Sequence, residues 1–266
     1  MATSSDLSRL VRSSAIEWRV IHALLLREIL TRFGRHNIGF LWLFVEPMLF
    51  TIGVTALWTV SKSFHGSTLP IAAFALSGYS AVLLWRNMPT RCIGAIEPNL
   101  SLMYHRNVKI FDIFAARLIL EGGGATISFV VLSVVFIAAG AIDPPENVLQ
   151  VAGGWLMLCW FGASLAIFLG SLAQEYELVD KLWHPAAYLL FPLSGAAYLV
   201  DALPPVAQHY LLYLPMVHGT EYIREGYFGS RIRAHYDLKY MATVNAVLLL
   251  MALAQMRKVS RKVIPE

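Results

Sequence analysis

The chain has 266 residues, of which 57% are hydrophobic and 14% charged, with a mean hydropathy of +0.59. Soluble domains run near 45–50% apolar and about 25% charged, so an ordinary soluble fold is excluded. The net charge of +4 comes from basic residues at the ends of apolar blocks, where topology and anionic lipid explain them better than nucleic acid does.

Those blocks are nearly free of charge and reach about 20 residues, the length that crosses a bilayer as a helix. The expected fold is an all-α membrane protein with six transmembrane helices. Residues 1–38 are read as a cytoplasmic tail and interfacial helix, 39–256 as the six-span domain, and 257–266 as a basic cytoplasmic tail. The first 20 residues hold Arg9, Arg12, Glu17 and Arg19 with no apolar run between them, so no cleavable signal peptide is expected. Cys92 falls in a polar loop and Cys159 inside a span, so no disulfide is expected.

In chain order, the pattern from Ile16 to Arg35 is helical. Leu26, Ile29, Leu30 and Phe33 share one face; Arg27, Glu28, Thr31, Arg32 and Arg35 share the other. A basic face opposite an apolar one suits a helix lying in the membrane interface; the alternative is an amphipathic helix packed on protein. Span 1 follows at once, from Gly39 to Val60, and carries Glu46 and Pro47. A carboxylate inside a span is costly and usually faces protein or a water-filled path. Span 2 runs from Leu69 to Met88, with room to continue past Pro89. A basic connector, Arg91 to Lys109, leads to span 3, Phe111 to Ala141, which holds Arg117, Glu121 and the run Gly122, Gly123 and Gly124. Glycines there permit close helix contact or a local break.

Asp143, Pro144 and Pro145 turn the chain into span 4, Val148 to Ala173. A short acidic loop precedes span 5, Leu182 to Val200. The stretch from Asp201 to Asp237 is too long for a simple connection and too apolar for a solvated one. It reads as one or two short, half-buried helices that dip into the membrane where protein satisfies their backbone. Span 6, Leu238 to Met256, completes the set. Six spans put both ends on one side. Lys and Arg are concentrated on that side, in the N-terminal segment, the 2–3 connector and the tail, so both termini are expected in the cytoplasm.

Arg27-Glu28, Arg32, Gly39, Trp42 and Glu46-Pro47 form a pattern that resembles the permease subunit of type-2 ABC exporters that handle polysaccharides. YHRNVKIFDIFAAR (Tyr104 to Arg117) is similar to the first cytoplasmic loop of the capsular polysaccharide export permeases, and IREGYFG (Ile223 to Gly229) to their segment before the last span. The first pattern is shared with O-antigen and teichoic-acid exporters; the other two lean toward the capsule branch. The resemblance covers nearly the whole chain. It implies an inner-membrane homodimer joined to two copies of an ABC ATPase subunit and moving a lipid-linked polysaccharide. A periplasmic copolymerase and an outer-membrane export protein are implied beyond it. The chain itself lacks G-x-x-x-x-G-K-[ST], so it is not expected to be an enzyme; ATP and Mg belong to the partner subunit.

Residue roles follow as expectations. Arg27, Arg32 and Arg35 are candidates for attracting a lipid phosphate or acidic sugar where cargo is loaded, and equally for anchoring lipid headgroups. Trp42, Phe44, Glu46, Tyr79, Trp85, Trp155 and Trp160 are candidates for the translocation path, against the ordinary role of span aromatics in packing and interface belts. By the resemblance, Tyr104, His105, Arg106, Asn107 and Lys109 belong to the helix that couples to the ATPase. Glu46 and Glu121 are expected to pair with Arg86 or Arg117. No H-E-x-x-H or G-x-S-x-G occurs, and no metal site is expected from His209 and His218. An integral-membrane glycosyl- or acyltransferase is the reading from another class.

Overall fold

The computed structural model describes the backbone of residues 4–33, 37–61, 69–106 and 108–263, and side chains within 14–31, 41–60, 69–104 and 108–262. It is helical throughout, with no strand among the described residues. The helices are α1 (Ser4–Phe33), α2 (Asn37–Ser61), α3 (Ile71–Cys92), α4 (Leu100–Arg106), α5 (Ile110–Ala138), α6 (Val148–Ala173), α7 (Leu178–Leu193), α8 (Pro205–Leu211), α9 (Pro215–Phe228) and α10 (Leu238–Val263). Both cysteines are free.

Helices α3 and α6 form the centre. α3 packs against α2, α5, α6 and α9, and α6 against α9 and α10 as well. Glycines on one face of α6 allow this. A Cβ on Gly162 would stand 2.9 Å from the Trp85 Cα, and one on Gly170 the same distance from the Cys92 carbonyl oxygen. Any larger residue would wedge the two backbones apart. The glycine run in α5 works the same way and leaves the helix unbroken: Gly124 faces Leu43 of α2, Gly122 faces Met88 of α3, and Gly123 is open. Beside it the Ser128 hydroxyl donates to the Phe44 carbonyl across the α2–α5 contact (2.8 Å).

Among the described residues, four helices are long and apolar enough to cross a membrane: α2 over Leu41–Val60, α5, α6, and α10 over Leu238–Lys262. The expected spans 2 and 5 are more polar or shorter. At about 1.5 Å per residue α3 is about 33 Å long. It is enclosed by protein from Ala73 to Trp85, so Ser77, Gly78 and Ser80 are tolerated where lipid would select against them. α7 has 16 residues, about 24 Å by the same rise, and ends well before Val200. The chain leaves the helix at Ser194 and turns through Gly195 at φ +79°. There the carbonyls of Gly195, Ala196 and Tyr198 are taken by the guanidinium of Arg224 on α9. The Asp201–Asp237 stretch, expected to hold one or two short helices, holds two, α8 and α9.

α1 packs on α5 and α2. Its inward stripe is Glu17, Ile21, Leu24, Leu25 and Glu28, while Leu26 and Leu30 lie exposed on the far side. The amphipathic reading therefore places Glu28 wrongly: it faces protein, because a cation waits there.

Candidate functional site

That cation is Arg117 in α5. Its Nε lies 3.1 Å from Glu28 Oε1, and its Nη1 donates to the Arg91 carbonyl oxygen at the end of α3. Four residues along α5, Glu121 Oε1 lies 3.3 Å from Arg91 Nε. Arg27 Nη1 donates to Oδ1 of Asn99, which is buried, and the Asn99 side-chain N–H donates to the Ala95 carbonyl. Arg27, Glu28, Thr31, Thr90, Arg91, Pro98, Asn99 and Arg117 together line a cleft of about 390 Å³ where α1, α3, the connector and α5 meet.

The cleft holds three guanidiniums and the Glu28 and Glu121 carboxylates balance two of them. Arg27 hydrogen-bonds a neutral amide, so the cleft keeps a positive excess at the base of α1. Arg27 also borders a second, mainly apolar groove of about 480 Å³ between α1 and α4, floored by Val20, Leu24, Leu102 and Val108 and edged by Arg19. Cation beside apolar groove matches a phosphate joined to acyl chains. Of the other predicted cations, the Arg32 side chain and Arg35 lie outside the described residues.

An ion pair ties this region together. The Lys109 ammonium donates to Glu17 Oε1 (2.9 Å), and that hydrogen bond holds the lysine above its ordinary range. α1 is thereby joined to the start of α5, directly after α4. On α4, Tyr104 is exposed; the His105 and Arg106 side chains and Asn107 lie outside the described residues. Just after α6, Glu175 receives Lys258, Lys262 and Gln255 of α10. The lysine hydrogen bonds pull its carboxyl down to about 2.

The predicted path residues divide. Trp85 is fully buried against Phe161. Trp155 is buried, stacks on Phe129 at 4.5 Å and donates its indole N–H to Thr126 (2.9 Å). Tyr79 meets the Phe191 edge at 5.5 Å. All three are buried against other rings. Trp42 is exposed on α2, in line with Leu49, Phe50, Leu57 and Val60; Phe44, Glu46 and Trp160 are half-buried. The Arg86 guanidinium sits 5.5 Å over the Tyr188 ring and is the cation–π partner of α7, whereas it was expected to meet a carboxylate. Among the described residues Glu46 makes no ion pair.

Sequence reasoning missed the residue that organises the other end. Arg224 is fully buried. Its fork donates to the carbonyls of Gly195, Ala196 and Tyr198, its Cζ lies 3.8 Å over the Phe74 ring, and Glu221 stands 3.8 Å away. Glu221 in turn accepts from the backbone N–H of Val200 and His235 (3.4 and 3.1 Å). Glu225 accepts from Gln150 of α6 and from the Tyr236 hydroxyl. α9 thus pins the segments on either side of it. Gly229 closes the helix at φ +54°, where a Cβ would strike the Glu146 carboxylate at 1.7 Å, so only glycine fits. The IREGYFG motif holds Arg224, Glu225 and Gly229, and Glu221 lies two residues before it; opposite charges three residues apart in an apolar segment are the available signal.

The sequence model of the ABC-2 type transporter family matches residues 19–228. The chain is 46% identical over 254 residues to the capsule polysaccharide export inner-membrane protein CtrC of Neisseria meningitidis serogroup B, covering 96% of each chain. It is 40% identical over 261 residues to the capsule polysaccharide export inner-membrane protein BexB of Haemophilus influenzae, covering 98% of each. It is 28% identical over 240 residues to the polysialic acid transport protein KpsM of Escherichia coli, covering 89% of this chain and 92% of the other.

Proposed function

Because this chain belongs to the ABC-2 type transporter family, we propose that it is the membrane subunit of an exporter that moves lipid-linked capsular polysaccharide across the inner membrane. The observation that carries this is its near end-to-end similarity to capsule polysaccharide export inner-membrane proteins of two genera. A positive cleft at the foot of α1 supports it in chemistry.

Six crossings are formed by α2, α3, α5, α6, α7 and α10, with α8 and α9 dipping in from the outer side. α1 lies at the inner interface, with Leu26 and Leu30 toward lipid. Both termini are cytoplasmic, since the basic connector and tail share that side. Two copies enclose the path, and the exposed α2 face around Trp42 is turned toward lipid or the second copy. Two ABC ATPase subunits supply the energy, and α4 with Tyr104 and Lys109 seats in them. A periplasmic copolymerase and an outer-membrane export protein continue the route.

Loading begins at Arg27, with Arg32 and Arg35 adding charge. A lipid phosphate competes for Arg27 against only a neutral amide, so engaging it breaks no ion pair. The acyl chains lie along the α1–α4 groove. Motion of α4 reaches α1 through Lys109–Glu17 and Arg117–Glu28, and so alters this cleft.

Deleting the chain is expected to leave finished polymer inside the cell and none on the surface. Normal surface polymer in the deletion strain overturns the export reading. Polymer that is never made points instead to a biosynthetic enzyme.

A further inference from the structure

At the α9 end of the molecule, a crevice of about 480 Å³ opens between α8, α9 and the start of α10. Neither the loading cleft nor the coupling region reaches it. Its size falls in the range of small-ligand sites, about 300–1,000 Å³. Its walls are mostly rings: His209 and Tyr213 from α8 and the turn after it, His218 from α9, and Tyr240 from α10.

These rings are held in place. The Tyr240 hydroxyl donates to the Tyr213 carbonyl (2.8 Å). His218 Nε2 lies 2.8 Å from the Leu212 carbonyl, and its Nδ1 accepts from the Asp237 backbone N–H (2.8 Å). His218 is therefore a neutral imidazole with its proton on Nε2. The ring pairs His209–Tyr213 and His218–Tyr240 stand at 5.3 and 5.1 Å. Asp237 Oδ1 caps α10 by accepting from the N–H of Lys239 and Tyr240 (2.8 and 3.0 Å), a cap that uses Oδ1 alone. Both Tyr213 and Asp237 are exposed.

We propose that this crevice is a carbohydrate subsite that holds one or two sugar rings of the polymer as it leaves the membrane. An aromatic face receives the C–H face of a pyranose, and a fixed carboxylate accepts from its hydroxyls. The lining contains one carboxylate and no Lys or Arg, so a phosphate end is repelled and a hydroxyl-bearing ring is favoured. The cargo's lipid phosphate and its sugars are thus recognised at opposite ends of the molecule. The choice of a sugar rests on the export reading above.

The test uses the full chain with its ATPase subunits in nanodiscs. The probe is a tagged oligosaccharide of two to four sugars, made by partial acid hydrolysis of the cell's own capsule. Saturation-transfer NMR and a binding titration are the readouts. Tyr213→Ala removes a stacking face from an exposed position and should weaken binding about tenfold. Asp237→Asn keeps the helix cap and should weaken it by a similar factor. Both should leave thermal stability close to the parent. Parent binding that neither variant weakens, or no parent binding while surface capsule still depends on this chain, overturns the subsite and leaves the export reading intact. Normal capsule in the deletion strain overturns the export reading instead.

Discussion

Replacing Arg224 by Met tests the organisation of the α9 end. The native side chain is fully buried and satisfies three carbonyls, those of Gly195, Ala196 and Tyr198. Each buried acceptor left without a donor costs about 1–3 kcal/mol. Glu221 also loses its cation, and breaking a buried pair typically costs about 3–5 kcal/mol. That cost is reduced here because Glu221 keeps the Val200 and His235 N–H groups, and because Met refills most of the volume over Phe74. A loss of about 4–6 kcal/mol is expected, comparable to the whole stability of a marginal domain. Arg224→Lys keeps the charge but reaches one carbonyl instead of three, so it should lose about half as much. The assay is thermal unfolding of the chain in nanodiscs, with the amount inserted in membranes as a second measure. Unfolding of Arg224→Met within about 1 kcal/mol of the parent would refute the reasoning.

Three further outcomes follow from the packing and the ties. Gly162→Leu places a side chain where a Cβ already stands 2.9 Å from the Trp85 Cα, so α3 and α6 must separate; a loss of about 3 kcal/mol or more is expected in the same unfolding assay, while Gly123→Ala, which meets nothing within 4 Å, should be neutral. Glu175 is pulled down to about 2 by its lysines, so its pairing stabilises the fold above the ordinary carboxylate range and is lost as pH falls toward 2. Lowering pH from 6 to 3 should therefore narrow the stability gap between the parent and Glu175→Gln, and a gap that widens would reverse the assigned sign. Lys109→Glu sets two carboxylates against each other at an exposed pair, costing at most about 1 kcal/mol; ATP hydrolysis should continue while surface polymer falls, and unchanged export would remove the coupling role.

The long apolar helices α2, α5, α6 and α10 were legible because lipid imposes a composition on them. α3 was harder to delimit for the opposite reason: protein surrounds it, so Ser77, Gly78 and Ser80 carry no penalty. The early end of α7 was not legible at all. It is set by Arg224, whose partners lie nearly thirty residues back in the chain, and no local pattern encodes that. At the α1 end the sequence picked out Arg27, Arg117 and Glu121 by the cost of charge near a membrane. It did not supply Asn99 or Arg91, since the pairing depends on how α3 and α5 are registered through Gly122 and Met88. Aromatics were the least legible: Trp85 and Trp155 are conspicuous in a span, but their burial against Phe161 and Phe129 depends on the helix packing. The long segment before α10 was recognisable as structured from its length and apolarity, but its ring-lined crevice required the fold of α8 against α9.

The most direct measurement is transport itself. Inverted membrane vesicles from cells that make the lipid-linked polymer are supplied with ATP, and polymer protected inside the vesicles is counted with and without this chain. The account predicts ATP-dependent protection that requires the chain and is reduced by Arg27→Glu, with the protein still present in the membrane. Equal protection in vesicles lacking the chain would contradict it.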